Sequence, residues 1–555
     1  MARYQEHLQA LRRLFPQPVS DPVHDGYVAF SVLRALDQID AIKSHAPILG
    51  QPTEPDFTSA REARLDEDGC TLEAVIPRLV HYLHGMFIWG HPRSQINVVP
   101  NASLASIIGA LLPLIYNPNL VSEESARLFS QAEVEAAAMS AGLVGYDPRA
   151  AGGIFTFGGT GTLLYGGKIG LEKALPGASA TGVRGAAVLI ASRHSHHACL
   201  NVASWLGIGQ DNVIAVEAHD DNSIRLDAAE DAIRAAIADG KRIAGIVATM
   251  GSTDAFGMDD LEGLRKIRDR AVEEYRLDYR PHIHADAVIG WAWAVFNGYD
   301  FVQNDLGFRG RTLRSLAAAQ NRIQHLALAD SIGIDFHKTG YTPYISSLVL
   351  AGDARDFRLI ARDRAAMPYL YQSGEHHPGM FTLETSRSAV GPMAALANLL
   401  LFGKTGYRTL LGHAVEMAEV LRERIESHPH LTVLNGGNVG PVTLFRAYPD
   451  GVNTFTVKDR EQLDAGYRSQ VLAHNAYNRQ IFERVHRDAL AGRGVVLSLT
   501  DCYRPTAHGD PIVALKSYVL SPFVDESRME SVFRHVLEAR EPQPLAPGGA
   551  WHAAE

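Results

Sequence analysis

The sequence predicts an α/β fold. A large, mostly parallel sheet is covered on both faces, with a helical segment before it and a smaller α+β domain after it. From about residue 155 short apolar runs recur at 186–192, 213–218, 243–251, 282–288 and 346–352, each closed by Gly, Ser, Thr or Asp. Helical patterns lie between several of them, at 226–239 and 261–275, and strands alternating with helices build parallel sheets. At 555 residues and 46% apolar side chains, the chain is too long for one core and rich enough to bury several.

Residues 1–90 read as helices and loops, with a break at 51–67 that opens Gln-Pro-Thr-Glu-Pro. Residues 91–400 hold the predicted sheet. Residues 401–540 turn helical and then mixed. There Ala414, Ala418, Leu421 and Ile425 share one helix face, and 431–435 reads as a strand. The tail, 541–555, carries three prolines and two glycines without a period, so a flexible end is expected.

The 52 basic against 62 acidic residues leave a formal charge of −10 with no Lys/Arg block. That balance argues against nucleic acid and anionic membranes as partners. Cys70, Cys199 and Cys502 are too far apart for a CxxC or zinc pattern and fit reduced thiols. The most apolar stretch, 102–116, is too short to cross a bilayer and holds Pro113. The N-terminus has no apolar signal region. A soluble, cytoplasmic protein is expected.

Four motifs can carry chemistry. Gly158-Gly159-Thr160-Gly161-Thr162 follows an apolar run and opens a helix, where free N–H groups suit a phosphate as well as a plain cap. It is not a P-loop, because Ile169 follows Lys168 in place of Ser/Thr, and Leu164 spoils the dinucleotide pattern. Ser192-Arg193-His194-Ser195-His196-His197 closes a strand at the end where open sheets bind ligands, and reads as a metal site or a polar loop. In His282-Ile283-His284-Ala285-Asp286-Ala287, strand alternation points His282, His284 and Asp286 to one face. Asp330 to Gly340 contains Asp335-Phe336-His337-Lys338 between apolar runs, where burial would free the Lys338 amine as a nucleophile.

A phosphate cradle, a ring partner, a buried carboxylate and a buried amine are the needs of pyridoxal 5′-phosphate. Their order resembles that of the group II pyridoxal-5′-phosphate-dependent amino-acid decarboxylases, the glutamate, aspartate and aromatic amino-acid decarboxylase family. The resemblance covers roughly residues 80–530. It implies fold type I, with a seven-stranded-type sheet in the large domain. Residues 192–209 resemble the segment with the stacking His, at His196. His284-Ala285-Asp286-Ala287 resembles the H-V-D-A element, which implies that Asp286 pairs with the pyridine nitrogen and Ala287 lies beneath the ring. The segment 330–338 resembles the D-S-…-x-P-H-K element, with Phe336 for Pro and with His337 and Lys338 intact, which implies that Lys338 forms the Schiff base. Gly159 and Thr160 lie where the family binds phosphate. Thr249-Met250-Gly251-Ser252-Thr253 resembles its T-x-G-T-T turn, with Ser252 near the cofactor.

Two positions depart from the pattern. Where the family's mobile loop carries a proton-donating Tyr, this chain has His376-His377, so His377, His376, Tyr371 and Tyr369 are the candidate acids. Where the family uses a C-terminal Arg for the substrate carboxylate, Lys516 stands, with Arg504 and Arg387 as alternatives. The resemblance implies decarboxylation of an L-amino acid, acidic (aspartate or glutamate) or tyrosine, by a homodimer with its site at the interface. Other outcomes on the same cofactor are carbon–carbon lysis, transamination and decarboxylation coupled to oxidative deamination. A different class, a metal-dependent hydrolase, would use His282, His284 and Asp286 with the 194–197 histidines around Zn²⁺ or Mn²⁺. It leaves Lys338 and the glycine turn without roles.

Overall fold

The computed structural model describes residues 3–368 and 370–541. Most of the tail expected to be flexible, 542–555, lies outside the described residues. A seven-stranded sheet forms the centre, in the order Gly152–Thr156, Ser347–Ala351, Ser331–Asp335, His282–Asp286, Arg242–Thr249, Ala187–Ser192 and Val213–Val216. Only Ser347–Ala351 runs against the others. The middle strands are buried almost end to end, as a parallel sheet covered on both faces requires. The predicted helices appear as Leu226–Ala238 and Leu261–Glu274.

One covering helix, Gly159–Ala174, lies unusually close to the sheet. A Cβ at Gly170 would stand 2.0 Å from the Ala244 carbonyl oxygen, and one at Gly166 2.4 Å from His284 Nδ1. Glycine on this face lets backbone meet strand. It also sets the helix N-terminus just past the end of Gly152–Thr156.

A second sheet of five strands runs Ser94–Gln95, Val496–Thr500, Ala514–Tyr518, Val442–Ala447, Leu431–Val433. Helices Arg468–Leu490 and Glu526–Arg540 bury Ile481, Val485, Met529 and Val532 in the core beside it. Ser94–Gln95 comes from the stretch assigned by sequence to the large sheet but pairs in parallel with Val496 and Leu497. Helix Val390–Glu426 crosses residue 400, and its path breaks at Gly403 (φ 51°, ψ −167°).

The N-terminal part is helical, as read from the sequence, at Arg3–Arg12, Pro22–Ala41, Phe57–Arg61 and Leu72–His81, yet among these only Ile76 is buried. The apolar stretch of 102–116 forms helix Leu104–Tyr116, with Ile107, Ile108, Leu111 and Leu112 exposed. No helix among the described residues is long and apolar enough to cross a membrane. Cys70, Cys199 and Cys502 are all free thiols.

Candidate active site

Strand ends decide where the chemistry gathers. Thr156, Ser192, Thr249, Asp286 and Asp335 each close a strand at the same edge of the sheet. A cavity of about 420 Å³ opens there, lined by Thr249, Asp286 and Val288, by His194 to His197, and by Gly251 to Asp254. Cys502 and Tyr503, from beyond Val496–Thr500, complete it. Asn222 reaches it from the turn at 219–223.

Lys338 sits on the short helix Phe336–Thr339, seated by Phe336, whose ring lies 4.6 Å from Trp291 and 5.9 Å from Phe155 between centroids. Phe336 thus fills the place of the family's Pro with aromatic packing. The Lys338 Nζ lies 3.0 Å from Asp335 Oδ2, and Ser347 Oγ donates to Asp335 Oδ1 at 2.5 Å. Burial pulls the Lys338 amine down, but Asp335 and Asp286 outweigh it and hold its pKa above the ordinary lysine value. The freed amine expected from burial alone is therefore corrected: in this state the two carboxylates keep it protonated. His337 is buried, its Nδ1 lies 3.2 Å from the Ser346 carbonyl oxygen and 3.3 Å from the Ser346 nitrogen, bonding one or the other according to its tautomer, and the Tyr344 ring is 4.0 Å away.

Asp286 is 8% exposed, and its Oδ1 has no hydrogen-bond donor. Burial pushes its carboxyl up to about 6, with the Lys338 charge opposing. Ala287, fully buried, follows it and donates to the Ala285 carbonyl. Burial holds His196 down at about 4, with His197 and then Lys338 adding to the effect, so its ring is neutral near pH 7. His196 and His197 pack with ring centroids 4.1 Å apart. Ser252 Oγ accepts from the Gly257 N–H, closing the turn over residues 251–257. Gly159 and Thr160 begin their helix, where the first N–H groups have no intrahelical acceptor. A Cβ on Gly159 would stand 2.9 Å from Asp335 Oδ2. Glycine there allows the helix start to approach the Lys338 pair.

The remaining candidates are placed elsewhere. Tyr371 is fully buried, and its N–H donates to Glu124. The His376 N–H donates to Glu123, and His377 Nε2 lies 3.0 Å from the Gly374 carbonyl. None of the three lines the cavity that holds Asp286 and His196. Tyr369 lies outside the described residues. Lys516 is 4% exposed and pairs at 2.7 Å with Asp254, on the cavity wall. Arg504 binds Asp220 and Asn222. Arg387 is enclosed by Glu133 through both terminal nitrogens and by the carbonyls of Phe155 and Leu120, so a structural pair occupies it.

The ligand set of the hydrolase reading does not assemble. His282 and His284 share the predicted face, but both lie under the Gly159–Ala174 helix, bonded to Ser331 Oγ at 2.7 and 2.8 Å. Among the described residues no group of three His, Cys, Asp or Glu side chains suits a metal ion. Sequence reasoning missed Asp335, although alternation from Ser331 through Gly333 sets it on the strand face opposite Ile334. It also missed Asp254 and Tyr344, which carry no local signal beyond adjacency to quoted motifs.

Residues 81–447 match the family profile described as "Pyridoxal-dependent decarboxylase conserved domain". Aspartate 1-decarboxylase of Aliivibrio fischeri is 26% identical over 48% of this chain and 43% of its own length. L-2,4-diaminobutyrate decarboxylase of Acinetobacter baumannii is 22% identical over 76% and 80%. L-tyrosine decarboxylase of Enterococcus faecium is 25% identical over 52% and 48%. The chain thus spans less than half the length of the aspartate and tyrosine relatives. Among solved structures, mouse CSAD superposes with a TM-score of 0.75 at 17% identity over 94% of this chain and all of that one. Oryza sativa TDC with PLP and tryptamine gives 0.76 at 15% identity over 95% and 99%. These likenesses establish the fold. With well over half its residues in register with the profile, the chain belongs to the pyridoxal-dependent decarboxylase family.

Proposed function

We propose that the chain is a pyridoxal 5′-phosphate-dependent carboxy-lyase that converts an L-amino acid to its amine and CO₂, with an acidic substrate ahead of tyrosine. The observation that carries this reading is the Lys338 amine held by Asp335 within electrostatic reach of Asp286, whose buried Oδ1 lacks a donor. A protonated pyridine nitrogen is the donor that oxygen lacks, so the residues fit the cofactor. Bound, the cofactor supplies an electron sink for the pair left when the bond from Cα to the carboxylate breaks.

The chain's own residues do the rest. Lys338 anchors the cofactor covalently. Asp286 would keep a proton on the ring nitrogen, and Ala287 and the neutral His196 would hold the ring. The N–H groups at Gly159 and Thr160 take the phosphate, and Ser252 and His337 steady the walls. Lys516 and Arg504 are the preferred carboxylate binders, since Arg387 is held by Glu133. A substrate carboxylate would take the place of Asp254 on Lys516. A proton must then reach Cα for the amine to form, and His377 is its first source, ahead of His376 and Tyr371.

We assign these three, carried on a loop bonded to Glu123 and Glu124 away from Asp286, to the site of a partner subunit in a homodimer. Ile107, Ile108, Leu111 and Leu112 of helix Leu104–Tyr116 are exposed, as are Phe30, Leu33 and Leu36 of the second helix, and pairing would cover such apolar faces. Residues 91–400 form the cofactor-binding domain and 401–540 the smaller one in this reading. The free thiols fit the cytoplasm.

The test is amine release across aspartate, glutamate, tyrosine and 2,4-diaminobutyrate, with borohydride fixing the cofactor to its lysine. Lys338→Ala should abolish both the fixed cofactor and turnover. Aldehyde or keto-acid products in place of amine would overturn the decarboxylase reading.

A further inference from the structure

Two buried carboxylates face one amine, and they are not equivalent. Asp335 is in direct contact: its Oδ2 lies 3.0 Å from Lys338 Nζ, and its side chain is 1% exposed. Asp286 acts on Lys338 through its charge without forming an ion pair; its Oδ1 and Asp335 Oδ2 both lack a well-directed hydrogen bond, so the contact distance is what separates the two. We propose that Asp335 is the proton partner of Lys338, holding the amine as an ammonium in the cofactor-free chain and taking one of its protons when the amine attacks an aldehyde. This rests on the reading that Lys338 carries the cofactor.

The surroundings of Asp335 suit that task. From its own side of the chain come Lys338 and His337, whose Nε2 is 3.5 Å from Oδ2. Asp286 acts on Lys338 and Asp335 from the neighbouring strand, and His196 and Tyr344 from their loops. Ser347 Oγ donates to Oδ1, leaving Oδ2 to the amine. An ammonium has no lone pair, so a lysine held charged needs an acceptor within hydrogen-bond reach before it can act as a nucleophile. Asp335 is that acceptor.

The step balances as follows. One ammonium proton crosses to Asp335 and frees the nitrogen lone pair. The nitrogen bonds to the aldehyde carbon, and the carbonyl oxygen leaves as water with the two protons remaining on nitrogen. Asp286 takes no part and stays available for the ring nitrogen. Asp335 is therefore the base that frees Lys338 for this step.

The experiment follows Lys338 in the full-length, cofactor-stripped chain by competition labelling with trace acetic anhydride across pH, read by peptide mass spectrometry. In the wild type Lys338 should resist labelling until above the ordinary lysine range. In Asp335→Asn the curve should move down by about one pH unit or more, raising labelling at a fixed lower pH by about tenfold. A wild-type Lys338 that titrates below an ordinary lysine overturns the proposal without any variant, as does a variant curve that coincides with wild type. Borohydride fixation of pyridoxal 5′-phosphate on the holoenzyme separates the two readings. Cofactor on another lysine defeats the assignment of Lys338, whereas cofactor on Lys338 with unshifted labelling defeats only the role of Asp335.

Discussion

Arg387→Ala tests whether this guanidinium serves the fold or the substrate. Both partners of its ion pair are nearly inaccessible, at 3% and 1% side-chain exposure. Arg387 donates to both oxygens of Glu133, to the Phe155 carbonyl at 3.0 Å and to the Leu120 carbonyl at 2.8 Å. Glu133 also accepts the Phe155 N–H at 2.9 Å. The pair thus ties helix Leu128–Val144 to the edge strand Gly152–Thr156 and to the turn at 117–121. Removing one member leaves the other buried without its counter-charge, which costs about 3–5 kcal/mol. Truncation also opens a void, so the upper half of that range is expected. Urea unfolding of Arg387→Ala, Glu133→Ala and the double variant should give a coupling of about 0.5–3 kcal/mol. The variant Glu133→Leu with Arg387→Met, which replaces both charges by apolar groups, should recover much of the loss. Unchanged stability in Arg387→Ala together with a raised KM would refute this reasoning and return the residue to the substrate.

Three further outcomes follow from the same geometry. Asp286→Ala leaves Lys338 with one buried counter-charge and the ring nitrogen without an acceptor. Activity and cofactor retention should both fall strongly, and near-native turnover would sink the assignment. Burial holds His284 at about 3. An unfolded His titrates near 6.5, so below that pH the unfolded chain takes up a proton the fold refuses. The contribution of His284 is complete above about pH 6.5 and is lost, at roughly 1.4 kcal/mol per unit, as pH falls towards 3. His284→Gln should therefore lose less urea stability than wild type between about pH 7 and pH 5; equal losses would count against it. His377→Phe should keep cofactor and substrate binding while slowing amine formation or diverting turnover to aldehyde or ketone, as product analysis would reveal. Wild-type amine formation would reduce His377 to packing.

The motifs were legible because their signals are local. A run of apolar residues closed by a polar one marks the end of a buried strand, and that end is where a parallel sheet collects its ligands. Strand alternation alone puts His282, His284 and Asp286 on one face. It does not say which of them a helix will cover, and the close-packed Gly159–Ala174 helix buries the two histidines while Asp286 stays on the cavity. The approach of that helix is written in its glycines, but its partner strands are not. Sequence spacing likewise finds Lys338 and Asp286. It is silent on how strongly each holds a proton, since that balance depends on Asp335, Ser347 and the depth of burial together. The long-range pairs are the least legible. Arg387 meets Glu133 across 254 positions, and Lys516 meets Asp254 across 262. Such pairs are set by strand order and by how the two sheets dock, and no local periodicity encodes either. Side-chain face and strand end are thus readable from neighbours along the chain, whereas partner, proton affinity and enclosure come only from what packs across it.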